Sequence, residues 1–398
     1  MTLSPYPVIR LKPKIQSRGI RHGVLWVYDN ELVVDRRTKA LSPGTIAVLE
    51  DAERTPLALV AVNPQSRIMA RVLGRDPNAR IDRDWLAARL SRALQMRETL
   101  YDAPHYRLIH AEADGLPGVI IDRFGDTAVI QPNAAWADVL LDDLAGALVE
   151  VAGLRSVLKN ASGRARALEG LDDVSTVVLG AAPDAPLAVP MNGATYLADL
   201  TGGQKTGLFF DQRPNHAFAA RLAAGARVLD VFSHVGGFSL AALAAGADRA
   251  LAVDGSQAAL DLAAGGAAAM GAGARLSTRR GDAFDVLSAL GEEGAEFDVV
   301  ICDPPAFAPN RKAMEAGLRA YERVARLAAP LVADGGYLGL CSCSHAVDLT
   351  AFRKVCSRGI GRAGRDASLI HTGFAGPDHP QHPHLAETAY LKALFYRL

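Results

Sequence analysis

The sequence predicts an α/β protein in three parts: a small β-barrel over residues 1–74, a middle α/β segment over 75–188, and a parallel sheet with helical crossovers over 189–398. Three observations carry this expectation. The 398 residues exceed one ordinary domain. The first stretch consists of short apolar runs broken by Gly, Pro and Asn, with little helical period. From about residue 189, strand patterns alternate with helical ones, and such crossovers imply parallel strands buried on both faces.

Composition narrows the function classes. Apolar residues make up 49% and charged residues 22%, enough for real cores, and the formal net charge is zero. Any nucleic-acid surface must therefore be a local patch. Four cysteines are too few for a disulfide framework. The start, MTLSPYPVIRLKPK, has no apolar stretch of a secretory signal, and no window approaches the ~20 apolar residues of a membrane span. These features predict a reduced, cytoplasmic protein without a membrane partner.

In the first part the strands are GVLWVYDNELVV, GTIAVLEDAE, PLALVAVNP and IMARVLG, with a helix only around Gln16–His22. Arg10, Lys12, Lys14, Arg18 and Arg21 fall between Met1 and Tyr28 with no acid among them, and Arg67, Arg71 and Arg75 add to that sign. A basic, aromatic-bearing barrel suits an RNA backbone and stacked bases; a solvated basic surface with no partner explains the same charges. In the middle part, Trp85, Leu86, Leu90, Leu94 and Leu100 have helical spacing over Asp82–Tyr101. RLIHAEADGLPGVIIDRFGDTAVIQ follows with strand character and turns at Gly115, Pro117, Gly118 and Gly125. A helix over Ala135–Val151 and strands at Arg155–Lys159 and Val174–Leu179 complete this part, which shows no catalytic cluster.

The third part alternates RVLDVF, RALAVD, RLSTRRGD, FDVVICDPP and GYLGLCSCS with helices. Ligands of such sheets bind at the carboxyl ends of the strands. The first turn, Asp230 to Phe238, contains Phe232, Gly236 and Gly237 but no G-x-G-x-x-G phosphate cradle. An acid at that strand end holds a cationic or ammonium group and repels phosphate. Asp254 ends the next strand, placed for the two hydroxyls of a ribose. Asp282 ends the third, near an adenine amino group, and Asp303 the fourth. Taken singly, the glycines read equally as a tight turn and the aspartates as helix N-caps. Jointly, four acids in register without a phosphate cradle favour S-adenosylmethionine over a nicotinamide dinucleotide.

DPPAF, Asp303 to Phe307, resembles the fourth motif of class I (Rossmann-like) methyltransferases, whose loop holds a planar amine against an aromatic. Alone it points to N-methylation. CSCSH, Cys341 to His345, points elsewhere. Carbon 5 of a pyrimidine is too weak a nucleophile for a methyl sulfonium. Thiolate attack at C6 turns C5 into an enamine carbon, and a hydrogen bond or proton at N3 assists. A cysteine at a strand end beside the DPP loop fits this, with Asp303 at N3. Pro304 and Phe307 would face the base; Phe307 reads as a stacking platform or as a core aromatic under the loop.

Over nearly its whole length the chain is similar to the RlmI-type 23S rRNA cytosine-C5 methyltransferases. The resemblance rests on LKPK with VLWVYDNEL, EADGLPGVIIDRFGD, KTGLFFDQR, DVFSHVGGFSL, FDVVICDPPAFA, CSCSH and DHPQHPHLAETAYLKAL. It implies a PUA-like barrel, a middle α+β domain and a class I methyltransferase domain. It implies that Cys343 is the nucleophile, and that Lys205, Asp211, Gln212 and Arg213 help line the cofactor site. It also implies 23S rRNA or a large-subunit precursor as partner, and it leaves room for a homodimer. Lys12, Lys14, Arg18 and Arg21 are the RNA-contact candidates.

Competing readings remain. Cys341 and Cys343, alternating on a strand, share a face as zinc ligands would, and His379, His382 and His384 are conceivable partners, but the proline-rich tail reads as a loop and no metal is expected. A Cys341–Cys343 disulfide would be strained. Cys302 and Cys356 read as buried filler, and Cys341 can be filler too. His345 would cap the strand end or contact RNA. An RNA N-methyltransferase using DPPAF would not need Cys343, and a non-catalytic RNA-binding assembly factor would not bind S-adenosylmethionine.

Overall fold

The computed structural model describes residues 5–202 and 207–398. It divides into two compact units, residues 5–183 with 380–385, and residues 184–379 with 386–398. The segment 380–385, which the sequence places with the third part, thus belongs with the first unit.

The first unit holds two five-stranded sheets. One joins Val8–Arg10, Thr45–Glu50, Pro56–Val62, Ala70–Gly74 and Trp26–Val27. Alternating apolar residues such as Val60, Val62, Ala70 and Val72 close its core. The expected helix near Gln16–His22 runs Arg18–His22, and a further short helix, Arg36–Lys39, was not expected; Asp35 caps it by accepting from the Thr38 amide. The other sheet runs through His105–His110, Val119–Phe124, Thr127–Pro132, Ser156–Lys159 and Thr176–Leu179. The helix Arg83–Leu100 covers it, started by Asp82, whose side chain accepts from the Trp85 amide. The single helix expected over Ala135–Val151 is two, Ala135–Val139 and Leu141–Ala152, broken at Leu140.

Much of the basic surface expected in this unit is neutralised. Arg10 pairs with Glu50, Arg21 with Asp51, and Arg71 with both Glu112 and Glu169. Arg71 in particular is not a surface charge: its side chain is 13% exposed, in a polar core shared with Trp26, Asn63 and Ser66.

In the second unit a helix α1 (Arg213–Arg221) precedes the strands β1 (Arg227–Val231), β2 (Arg249–Asp254), β3 (Leu276–Arg280), β4 (Phe297–Cys302), β5 (Val332–Ser342), β6 (Ser368–Gly373) and β7 (Lys392–Arg397). The helices α2 (Gly237–Ala244), α3 (Gln257–Ala269), α4 (Ala283–Glu292), α5 (Met314–Ala328) and α6 (Leu349–Arg362) follow β1 to β5 in turn. The seven strands lie in the order β3-β2-β1-β4-β5-β7-β6. The first five are parallel, as the sequence predicts, joined by crossover helices; β1 and β4 at the centre are the most buried, whereas the edge strand β3 is largely exposed. The departure is β7, which runs antiparallel to β5 and β6. It places Lys392 directly opposite Ser342, at the end of β5 that leads into Cys343.

Candidate active site

Strand order reverses at β1, with β2 on one side and β4 on the other. The loops that leave the carboxyl ends there carry the residues in question.

The turn after β1 is shaped by the protein's own packing. Phe232, His234 and Gly236 all have positive φ (63°, 51° and 81°). Gly236 fills the left-handed position that suits a residue without Cβ. A Cβ on Gly237 would come within 2.6 Å of the His216 ring, so that glycine answers a close approach by α1. Tyr196 also donates from its hydroxyl to the Gly237 carbonyl at 3.1 Å.

Asp230 is fully buried. Its Oδ2 accepts from the Ser239 amide at 2.8 Å and the Ser239 hydroxyl at 2.6 Å, which fixes the start of α2. Its Oδ1 has no hydrogen-bond partner among the described residues. Burial pushes its pKa up to about 6, against the pull of the Ser239 bonds. Asp254 spans two loops, accepting from the His234 amide at 2.9 Å and the Ser256 amide at 2.8 Å. Asp282 is exposed and caps α4, its Oδ1 accepting from Phe284 and Asp285. The capping role weighed for these aspartates is thus present at Asp282, while at the start of α3 Ser256 is the cap.

The segment before α1 carries Asp211, Gln212 and Arg213. Lys205 and Thr206 lie outside the described residues. Asp211 is held by the Tyr390 hydroxyl, which donates to its Oδ2 at 2.6 Å. Gln212 accepts from Asn215 at 2.6 Å. Sequence reasoning missed Asn215 and His216. Both are buried, and burial pushes His216 down to about 3, so its imidazole is neutral. Neither residue looks unusual in sequence; RPNHAF reads as an ordinary helix start.

Six buried polar atoms in these segments lack a partner among the described residues: Asp211 Oδ1, Gln212 Nε2, Asn215 Oδ1, His216 Nδ1, Asp230 Oδ1 and Ser233 Oγ. Buried polar groups are ordinarily satisfied, so a set of this kind marks where a polar ligand completes the bonding. It mixes carboxylate and carbonyl acceptors with amide and hydroxyl donors, the donor set an amino-acid head group requires. Residues and chemistry therefore fit S-adenosylmethionine.

The cysteines separate sharply. Cys302, Cys341 and Cys356 are buried, and burial raises each thiol's pKa. Cys343, just past the end of β5, is half-buried, and its thiol lies 3.9 Å from the Pro304 carbonyl of the DPP loop. The serines around it fix this arrangement. Ser342 donates to the Tyr321 hydroxyl at 2.9 Å, Tyr321 and Ser344 share a bond of 2.8 Å, and Ser344 accepts from the Ala308 amide at 3.0 Å. CSCSH is thus bonded directly to the chain that follows Asp303, and both its serines are bonded to Tyr321 of α5. His345 is exposed at the turn. Phe307 is half-buried among Phe232, Phe284 and Tyr321, with ring centroids 5.0–6.2 Å away, so its ring is part of the packing under the loop.

Residues 165–397 match the model of the S-adenosylmethionine-dependent methyltransferases, and residues 9–75 match a PUA-like domain. A protein of Erwinia tasmaniensis named ribosomal RNA large subunit methyltransferase I is 34% identical over 98% of this chain and 99% of its own. One of the same name from Klebsiella pneumoniae is 34% identical over 100% of both chains. The chain belongs to the ribosomal RNA large subunit methyltransferase I family. Its cofactor is S-adenosylmethionine, as the family model states. The solved structure of SMU.776 complexed with SAH shares the fold, with a TM-score of 0.82 at 18% identity over 99% of this chain and 100% of that one. A second structure, from Streptococcus mutans, gives the same score over 98% of this chain. This chain thus combines a PUA-like domain at residues 9–75 with the seven-stranded sheet of the second unit. In the described residues no helix is long and apolar enough to cross a membrane.

Proposed function

We propose that this protein methylates carbon 5 of a cytosine in 23S rRNA, with Cys343 as nucleophile and Asp303 at N3 of the base. The observation that carries the reading is the half-buried Cys343, whose thiol lies beside the Pro304 carbonyl and whose neighbour Ser344 accepts from the Ala308 amide, both in the loop of Asp303. The named relatives support large-subunit rRNA as the substrate.

The Cys343 thiolate adds to C6, and Asp303 donates a hydrogen bond or proton at N3, which makes C5 an enamine carbon. When bound, S-adenosylmethionine supplies a sulfonium-activated methyl group that C5 takes. A base then removes H5, the C6–S bond breaks, the thiolate returns and a proton given to N3 goes back to Asp303, so the ring is restored with a methyl in place of the hydrogen. Asp230, Asp254, Asp282, Asp211, Gln212 and Arg213 hold the cofactor, with Phe232, Gly236 and Gly237 forming the turn beside it. The cytosine must leave its stack to reach Cys343. The domain at 1–74 supplies affinity for the rRNA backbone through Lys12, Lys14 and Arg18, which are exposed, while Arg21 divides its charge between RNA and Asp51. Every side chain named belongs to one copy of the chain.

The test is to incubate the protein with S-adenosylmethionine and unmodified 23S rRNA, then identify the product nucleoside by mass spectrometry. The expected result is 5-methylcytidine with wild type and none with Cys343→Ala. An N-methylated base, or methylation that survives Cys343→Ala, would transfer the chemistry to the Asp303–Phe307 loop.

A further inference from the structure

We propose that Lys392 is a positioning residue that holds Cys343 in its thiolate form, as a buried cation fixed against the loop that follows the cysteine. This rests on the reading of Cys343 as the nucleophile.

Lys392 begins β7 and pairs with Ser342 across the antiparallel ladder. Its side chain is 4% exposed. The ammonium donates to the carbonyls of Ser344 and Val347, each at 2.7 Å, and these two carbonyls bracket the turn that leaves Cys343. Burying an ammonium is costly. A clamp for two carbonyls needs donors but not a charge, so the charge itself calls for a role.

The charges acting on Lys392 are those of Cys343 and Asp348; both favour its protonated form, while burial opposes it and sets its pKa at about 8. The coupling is reciprocal: a thiolate that favours the ammonium is favoured by it to the same extent. The other titratable groups nearby do not supply this. Tyr321 of α5 feels Cys343 but is neutral, its pKa raised by burial. The Asp303 carboxylate acts on neighbouring Cys341 in the direction that keeps a thiol protonated. Asp348 caps α6 and would oppose ionisation of a thiol. His345 is exposed. Lys392 is therefore the cation in this group whose place is fixed by the fold. A low thiol pKa is what makes a cysteine reactive at neutral pH.

The experiment is alkylation of the full-length protein with iodoacetamide across pH, with Cys343 followed by peptide mass spectrometry. Cys302 and Cys356 fall in other tryptic peptides, and fragment ions distinguish Cys343 from Cys341 within the peptide they share. The expected midpoint for wild type lies below the ordinary thiol value of about 8.5. Lys392→Met and Lys392→Gln should raise it by about one unit, which slows alkylation about tenfold near neutral pH while leaving the high-pH plateau unchanged. A merely structural role would change the plateau and not the midpoint. Binding of S-adenosylhomocysteine by calorimetry checks that each variant is folded. An unchanged midpoint in folded variants overturns the proposal. So does a wild-type midpoint at or above the ordinary thiol value, which decides the matter even if neither variant folds. Alkylation judges the cation, whereas methylation by Cys343→Ala judges the nucleophile, so the two readings fail separately.

Discussion

The buried charges of the first unit and the buried polar groups around the turn after β1 in the second are differently satisfied, although Arg10 Nε and Arg71 Nε of the first unit also have no partner among the described residues. In the first unit buried charges answer one another. Arg97 meets Asp114 through two bonds of 2.7 Å, Arg107 meets Asp122, and Arg166 meets Asp138 and Asp172. In the second unit, around the turn after β1, Asp211, Gln212, Asn215, His216, Asp230 and Ser233 each retain a buried atom without a partner among the described residues. Closed networks of the first kind hold a fold together. Open ones of the second kind leave polar atoms that water or, on the proposed reading, the cofactor would satisfy.

Substitutions can break or sharpen that contrast. The largest effect is expected from Asp114→Ala. It strands Arg97 in the core and should cost about 3–5 kcal/mol, read as a fall in the urea midpoint with S-adenosylhomocysteine affinity unchanged at low denaturant. Asp230→Asn should act in the opposite sense on stability. The folded carboxyl holds its proton more tightly than the unfolded one, so stability from this group is greatest below about pH 4 and falls as pH rises to about 6. A shift from 3.8 to about 6 corresponds to about 3 kcal/mol at neutral pH, part of which the amide recovers. Thermal unfolding near pH 7 should show a stabilised ligand-free protein, and calorimetry a loss of S-adenosylhomocysteine affinity of about tenfold or more. A destabilised variant would place Asp230 with the closed networks. Tyr390→Phe removes the donor to Asp211 and should cost about 1–2 kcal/mol, with a several-fold loss in cofactor affinity. Arg83→Ala breaks an exposed pair with Glu150 and should change stability by no more than about 0.5 kcal/mol.

Much of this architecture is legible in the chain because local signals agree with the fold. Asp82, followed by helical spacing, starts the helix where expected, and the acids at the ends of β1 to β4 fall in register because crossover helices set the strands in order. What escapes is what depends on distant pairing. Lys392 stands in an apolar run, LKALFYRL, and nothing nearby in sequence shows that β7 turns antiparallel and brings it to Ser342. Asn215 and His216 look like helix residues until α1 is seen against Gly237. The surplus of basic residues before Tyr28 is visible, whereas the acids that pair with two of them, Glu50 with Arg10 and Asp51 with Arg21, come later in the chain, as do Glu112 and Glu169, which bury Arg71. Leu140 carries no breaker residue to announce the interruption of its helix.

The phenol of Tyr321, bonded to both Ser342 and Ser344, has a consequence for motion. That hydroxyl ties both serines that flank Cys343 to one helix, and Ser344 in turn accepts from the Ala308 amide of the loop after Asp303, so the two loops are coupled. Cys343 is thereby held beside the Pro304 carbonyl of the loop that carries Asp303. The freedom that a nucleophile and its partner would lose on meeting a base was given up when the chain folded. On the proposed reading, the nucleotide is the part that must travel, out of its stack to Cys343.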